Sequence, residues 1–233
     1  MNCDVVMPVL LRDQGGISLT ESAVESIRKN KVRLIIVDDG SLLAKGLLKE
    51  LADVYIDHET NKGYAQAVNT GLEVVKTPLV CISNNDIRVS PNWLEVAEEV
   101  FADPTVGSLH FRMIPYDQPF NPGDKLWKTG KERWSHCSFF VCRNVQKYDP
   151  NFFNTFDDWD FMYRLRKEGY KTAYTNKVEF QHMDTYTISQ LPVMTERNKQ
   201  NYEYFKKKHG FYPDKQFELD YAEQFKVPWR PFP

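Results

Sequence analysis

Carboxylates and amides gather at four places along this chain. These are the residue types that accept hydrogen bonds from hydroxyls, hold a hard cation or take up a proton. The first cluster is Val37-Asp38-Asp39-Gly40-Ser41, and the second runs Asn61-Lys62-Gly63-Tyr64-Ala65-Gln66-Ala67-Val68-Asn69-Thr70-Gly71. The third is Ser83-Asn84-Asn85-Asp86-Ile87, followed by Pro91-Asn92-Trp93-Leu94. The fourth is Phe152-Phe153-Asn154-Thr155-Phe156-Asp157-Asp158-Trp159-Asp160-Phe161, followed by Arg164-Leu165-Arg166 and Gly169-Tyr170-Lys171. Each also has a plain structural reading. Asp38 to Ser41 can be a turn with Ser41 as helix N-cap. The asparagines near 84 can be a turn before a helix opened by Pro91. Asp157, Asp158 and Asp160 fall in the first turn of a predicted helix, where the dipole favours negative charge. Gly63 suits a tight loop, and a lone histidine such as His182 is more often structural than a ligand.

The elements that must position these residues alternate. Cys3 to Leu11 is a short apolar run of buried-strand type. Ser18-Leu19-Thr20-Glu21 is a capping box that predicts a helix over Leu19 to Lys29. Arg33 to Val37 is a strand, and Leu43, Leu47, Leu48 and Leu51 have helical spacing. Val54 to Ile56 is a strand, Tyr64 to Val75 a helix, and Leu79 to Ile82 a strand. Ser90-Pro91 predicts an N-cap and first helical position for a helix ending near Phe101. Four strand-then-helix units in about 100 residues predict a parallel, doubly wound α/β sheet. Ligands of such sheets bind beyond the carboxyl ends of the strands. Asp38, Asp39, Asn84, Asn85 and Asp86 all fall at such ends and are expected to line one crevice.

After Ala102 the texture changes. Val106 to Met113 and Ser138 to Val141 read as strands. Between them, Pro115 to Arg133 has proline and glycine breakers and no periodicity. A loop this long in a compact domain is usually functional or mobile. Asp157 to Lys167 is a helix, Lys171 to Phe180 a strand, and Thr195 to Lys208 a helix ending at Gly210. Residues 1–210 form one domain, with 1–105 and 106–210 as its halves. Residues 211–233 are a proline- and aromatic-rich arm.

Composition narrows the class. At 233 residues, one domain with a tail fits the length better than two. Apolar residues make up 42% and charged residues 27%, which excludes collagen, coiled coil and disorder. A net charge of -2 leaves no electrostatic footprint for nucleic acid. No run of about 18 apolar residues predicts a membrane span, and the N-terminus lacks the pattern of a secretory signal. Cys3, Cys81, Cys137 and Cys142 form no C-x-x-C pair and read as buried, reduced thiols. The expected compartment is the cytoplasm, with peripheral attachment at the inner face of a membrane as a variant. Neither G-x-G-x-x-G nor a P-loop follows any strand, which weighs against NAD, FAD and ATP-hydrolysing folds.

Taken in order and spacing, the four motifs resemble the family 2 glycosyltransferases, and the resemblance covers roughly residues 3 to 210. It implies a GT-A fold: a single Rossmann-like α/β domain with a mixed, mostly parallel sheet flanked by helices, then a C-terminal helix and an extended tail. It implies an inverting glycosyltransferase that moves a sugar from a nucleoside-diphosphate-sugar donor to a hydroxyl, in a saccharide, lipid-linked or protein acceptor. The implied cofactor is a divalent cation, Mn²⁺ or Mg²⁺.

The resemblance also assigns residues. Pro8, Asp38, Asp39, Asn61, Gly63, Asn69, Asn84 and Asn85 fall on the nucleotide-sugar side, with Asp38 beside the base. Asp86 is the metal carboxylate, and His182 matches a histidine near the diphosphate or metal. Family members usually carry D-x-D where this chain has Asn84-Asn85-Asp86, so only the last carboxylate is kept. Asp158 is the expected general base, Asp157 is the alternative, and Asp160 is expected to cap the helix or brace Arg164 or Arg166. Trp134, His136 and Trp159 fall on the acceptor side. Two rivals stand beside this reading. A sugar-1-phosphate nucleotidyltransferase would need a longer loop than Arg12-Asp13-Gln14-Gly15-Gly16. A non-catalytic nucleotide-sugar-binding module has the thinned metal triplet as its support.

Overall fold

The computed structural model describes residues 3–129, 138–183 and 194–213. Strands β1 (Cys3–Val9), β2 (Arg33–Asp39), β3 (Val54–His58) and β4 (Leu79–Ser83) alternate with helices α1 (Gln14–Ile27), α2 (Lys45–Leu51) and α3 (Tyr64–Leu72). Then follow β5 (Ile87–Val89), α4 (Trp93–Phe101), β6 (Val106–Ile114), β7 (Leu126–Thr129) and β8 (Phe139–Arg143). Helix α5 (Asp157–Lys167), β9 (Lys171–His182) and α6 (Met194–His209) complete the order.

The sheet runs β3-β2-β1-β4-β8-β6-β9-β5, with β7 also paired to β9. Strands β1 to β4 are mutually parallel, as expected of a doubly wound half. Strand β8 enters antiparallel to both β4 and β6, while β6 and β9 are parallel. Strands β5 and β7 share one edge of β9, opposite Phe180–His182 and Thr172–Thr175 respectively.

Alternation along the strands builds two cores. Val5, Met7, Leu34, Ile36, Leu79 and Cys81 face α1 and α4. Val6, Ile35, Val37, Val80 and Ile82 face α3 and α5. Both faces of the parallel strands are covered, which is why these runs are apolar throughout. Helix α6 adds Phe205, fully buried, against Phe152.

Several boundaries differ from the sequence reading. Helix α1 begins five residues earlier than the capping box predicts, because the Asp13 carboxylate accepts a hydrogen bond from Gly16 N at 2.8 Å and caps it there. Ser41 is no helix cap. Its hydroxyl accepts from Leu11 N at 2.8 Å, and α2 starts at Lys45. Ser90 caps nothing either, since its Oγ takes the N–H of Glu179, and α4 starts after Asn92.

Pro115 to Arg133 is not irregular throughout. Leu126–Thr129 forms β7, and the stretch before it is tied to β9 and its neighbours. Glu179 accepts from Asn121 N, Gln181 donates to Gln118 O, and Asn176 holds Gly123 N and Lys125 N at 2.8 Å each. Arg88 donates to Tyr116 O and lies 4.3 Å over the Tyr116 ring. Residues 130–133, and Trp134, His136 and Cys137, lie outside the described residues, as does nearly all of the expected arm 211–233. Cys3, Cys81 and Cys142 are buried free thiols, and burial raises the pKa of each.

Candidate active site

The order of the sheet fixes where a ligand can sit. Strand β1 has β2 on one side and β4 on the other, and the chain winds away in opposite directions from that point. The carboxyl ends of these strands therefore border a crevice. Pro8 lies in β1, opposite Val37 of β2. The β1–β4 ladder ends at Val6, two residues before Pro8, whose ring has no N–H to give it.

At the end of β2, Asp38 and Asp39 point to different partners. Asp38 is fully buried and accepts from Ser41 N at 2.8 Å and from the Tyr55 hydroxyl at 2.7 Å. Burial, aided by the hydrogen bond to Asp38, raises the Tyr55 phenol. Asp39 accepts from Lys62 N and Gly63 N at 2.9 Å each, and its Oδ1 is 2.9 Å from His58 Nδ1. The other ring nitrogen of His58 meets Thr70 Oγ1 at 3.0 Å. Asp39 thus anchors the loop that begins α3. His58 lies two residues beyond the strand expected over Val54 to Ile56, although a strand's carboxyl end is the signal that picks out Asp38.

That loop is tight. Gly40 (φ +84) and Gly63 (φ +92) both adopt backbone conformations that favour glycine. A Cβ on Gly40 would lie 2.7 Å from Asn61 N, and one on Gly63 would lie 2.8 Å from the Phe153 ring. Asn61 Oδ1 is buried without a hydrogen bond. Asn69 spends its amide on Tyr148, donating to its carbonyl and accepting from its N–H at 2.8 Å each.

The third cluster meets the end of β9. Ile87 pairs with His182 in the β5–β9 ladder, and Met183 N donates to Asp86 O. This register sets Asp86 Oδ1 3.2 Å from His182 Nε2, both side chains buried. Asn84 Nδ2 is 3.4 Å from the same nitrogen, and Ser138 Oγ is 3.3 Å from His182 Nδ1. Asn85 instead donates to Thr20 Oγ1 and fastens the turn to α1. Asp86 Oδ1 accepts no hydrogen bond although it is buried. A buried carboxylate oxygen left in that state, beside an imidazole nitrogen, fits a divalent cation whose remaining ligands come from substrate oxygens. Among the described residues, no group of three or more His, Cys, Asp or Glu side chains is placed to hold a metal by itself.

The fourth cluster opens α5, whose predicted range matches the observed one. Its entry turn is strained. Asn154 (φ 61) and Phe156 (φ 62) are both left-handed without being glycine. Such conformations cost about 1–3 kcal/mol each, and they persist where surrounding contacts impose them. Asn154 Oδ1 accepts from Tyr64 N at 2.7 Å and so caps α3. That contact, with Phe153 on Gly63, brings the start of α5 to the same edge of the sheet as the ends of β2 and β3.

Asp160 is fully buried and accepts from Arg164 Nε at 2.8 Å, with His209 Nε2 at 2.8 Å and Lys208 Nζ at 2.6 Å. The expected brace to Arg164 is present, and α6 doubles it. Asp157 is buried. Its Oδ1 accepts from Asp158 N, while Oδ2 has no hydrogen bond. Burial, and then the charge of Asp158, push the Asp157 carboxyl up to about 8. Asp158 is only half-buried and accepts from Trp159 N. The ring of Trp159 meets Phe156 edge-on at 5.8 Å.

This arrangement can be set beside known proteins. The model of the Glycosyl transferase family 2 matches residues 4–171, which includes all four clusters up to Lys171. The chain belongs to this family. Among curated relatives, the pre-mycofactocin glycosyltransferase of Mycobacterium tuberculosis is 32% identical over 122 residues, 51% of this chain. That match spans 25% of the relative's own length. Among solved structures, S. aureus TarS residues 1–349 align with 94% of this chain and 75% of that one, at TM-score 0.64 and 12% identity. The mannosyltransferase PcManGT from Pyrobaculum calidifontis, solved with GDP-Man and Mn²⁺, aligns with 96% of this chain and 69% of that one. Its TM-score is 0.67 and its identity 17%. At these identities the likeness establishes a shared fold, the GT-A architecture that the motif order implies. Among the described residues, no helix is long and apolar enough to cross a membrane.

Proposed function

We propose that this chain transfers a sugar from a nucleoside-diphosphate-sugar to an acceptor hydroxyl with inversion at the anomeric carbon. The observation that carries this reading is the buried Asp86–His182 pair at the crevice, 3.2 Å apart, with Asp86 Oδ1 accepting no hydrogen bond. A divalent cation held by Asp86 and His182 would supply Lewis-acid neutralisation of the diphosphate charge. The family relationship supports the reading, as does the presence of GDP-Man and Mn²⁺ in the structure of PcManGT.

In this account residues 1–105 hold the donor and residues 106–210 supply the acceptor side and the base. Asp38, fully buried at the end of β2, holds Ser41 N and the Tyr55 hydroxyl on the base side of the crevice, and Asn84 reaches a ribose hydroxyl. Asn61, with its buried Oδ1 unsatisfied, offers an acceptor to a donor hydroxyl. Lys62 N and Gly63 N are held on Asp39, so that loop's shape is fixed before the donor arrives.

The acceptor oxygen attacks the anomeric carbon in line as the bond from that carbon to the diphosphate oxygen breaks. The acceptor's proton goes to Asp158. Two adjacent carboxylates do not both ionise readily. Burial, and then the charge of Asp158, raise the Asp157 carboxyl and so disfavour its charged form, whereas Asp158 is only half-buried. This favours Asp158 over Asp157 as base.

The direct test is a thermal-shift screen of the chain against UDP, GDP, dTDP and CDP, each with and without Mn²⁺. Binding at about 100 times Kd should stabilise by about 2.7 kcal/mol. One nucleotide stabilising the wild type with Mn²⁺ only is the expected result. Indifference to all four in both conditions contradicts the proposal.

A further inference from the structure

Helix α6 lies beyond the residues matched by the family, yet it reaches the turn that opens α5. Asn201 is the centre of that contact. It is 4% exposed. Its Nδ2 lies 3.0 Å from Phe153 O, 3.1 Å from Thr155 O and 2.7 Å from Thr155 Oγ1, and its Oδ1 accepts from Phe153 N at 3.4 Å. The Thr155 hydroxyl donates a hydrogen bond to Asn198 Oδ1 at 3.0 Å. Arg197 lies over the Phe153 ring at 4.0 Å. Arg197, Asn198 and Asn201 share one helix face by their spacing of three and four.

The two carbonyls held by Asn201 flank Asn154, and Phe156 follows, so the amide clamps the segment in which both left-handed residues occur. This turn fixes where α5 begins and hence where Asp157 and Asp158 project. Its opposite side is fixed on Gly63 and Tyr64 N. A side chain whose whole hydrogen-bonding capacity is spent on one strained turn determines that turn's shape.

We propose that Asn201 is a positioning residue for the transfer reaction: it sets the place of the Asp157–Asp158 carboxylates from a separate helix and touches no substrate. The proposal rests on the reading of Asp158 as the base.

Three variants test it together: Asn201→Ala, the milder Thr155→Val, and Asp158→Asn as reference. The readouts are nucleoside diphosphate release from whichever of UDP-glucose, UDP-GlcNAc and GDP-mannose the wild type turns over, its pH profile, and nucleoside diphosphate affinity with Mn²⁺. A misplacement near 1 Å can cost about 100-fold in rate. Asn201→Ala is expected to lower kcat at least ~10-fold and Thr155→Val by a smaller factor. KM and nucleotide affinity should stay within about twofold, and the acid limb of the profile should move. Amide exchange at Asp158 and Trp159 should quicken in both variants while β1 and β4 stay as protected as in the wild type. Unchanged kcat and pH limb in Asn201→Ala, with Asp158→Asn impaired, overturns the positioning role alone. Unchanged kcat in Asp158→Asn overturns the reading of the base and the proposal with it. A fall in nucleotide affinity matching the fall in kcat also overturns the proposal, because a general loss of structure moves both.

Discussion

Tyr64 N donates to Asn154 Oδ1 at 2.7 Å across 90 residues of sequence. One side of this bond is the N-terminus of α3, held through Lys62 and Gly63 by Asp39. The other is the turn that opens α5. The loop that opens α3 and the acidic turn are therefore linked by this bond, beside the packing of Phe153 on Gly63. Removing an N-cap side chain costs about 0.5–2 kcal/mol. Asn154→Ala should destabilise the fold by about that amount, read by urea unfolding, and should also lower turnover. An unchanged midpoint would mean that the cap carries no load.

Gly63→Ala tests the same junction from the other side. The added methyl would meet the Phe153 ring at 2.8 Å on a backbone at φ +92. We expect a loss of about 1–3 kcal/mol, with nucleotide affinity reduced as the loop shifts. Wild-type stability and affinity in the variant would contradict the tight junction.

Asp86→Ala should abolish the Mn²⁺ dependence of nucleotide binding while leaving the sheet intact. A tenfold loss of affinity, about 1.4 kcal/mol, is the least that removal of the sole carboxylate of the triplet should cause. Calorimetry with Mn²⁺ and with EDTA measures it. Equal wild-type affinity in both media would refute metal assistance through this residue.

The pH dependence of stability separates two groups of carboxylates. Burial raises Asp149, but hydrogen bonds from Lys208, Asn151 and Tyr204 outweigh it and hold the group down at about 2. Asp160 is also lowered: burial opposes, and His209, Lys208 and Arg164 prevail. Groups with depressed folded pKa values contribute stability that is present above the unfolded value and lost as pH falls through the folded one. Lys208→Met should therefore be less stable than the wild type at pH 6, with the gap closing between about pH 4 and pH 2. Asp157 has the opposite sign. Its folded pKa is raised, so its contribution is complete below the unfolded value and is lost as pH rises toward about 8. Asp157→Asn should gain on the wild type between about pH 4 and pH 8 and then level off. Parallel stability curves would contradict the shift.

The fold was legible where local pattern and burial agree. The spacing of Phe161, Met162 and Leu165 behind three aspartates located α5 to the residue, and the strand–helix alternation gave β1 to β4. What escaped depends on distant partners. Strand β5 has three residues and exists through its pairing with β9. Strand β7 sits behind Pro119, Pro122 and Gly123 and is an edge strand. Gly15 and Gly16, poor helix formers, concealed the start of α1. In the site, motif resemblance points to Asp86 and His182, and the β5–β9 register supplies the physical reason for their contact. Asn201 had no local signal, because it sits in a polar helix and works through a turn more than 40 residues away in sequence.

The measurement closest to the central claim is sugar transfer by Asp158→Asn. A positioned base is worth about 10²–10⁴-fold in rate. The account predicts a loss of that size in nucleoside diphosphate release from the donor, with Mn²⁺-dependent nucleotide affinity within about twofold of the wild type. Asp157→Asn should lose less. Turnover retained in Asp158→Asn together with weakened nucleotide binding would contradict the account, and would move the carboxylate from the acceptor to the donor.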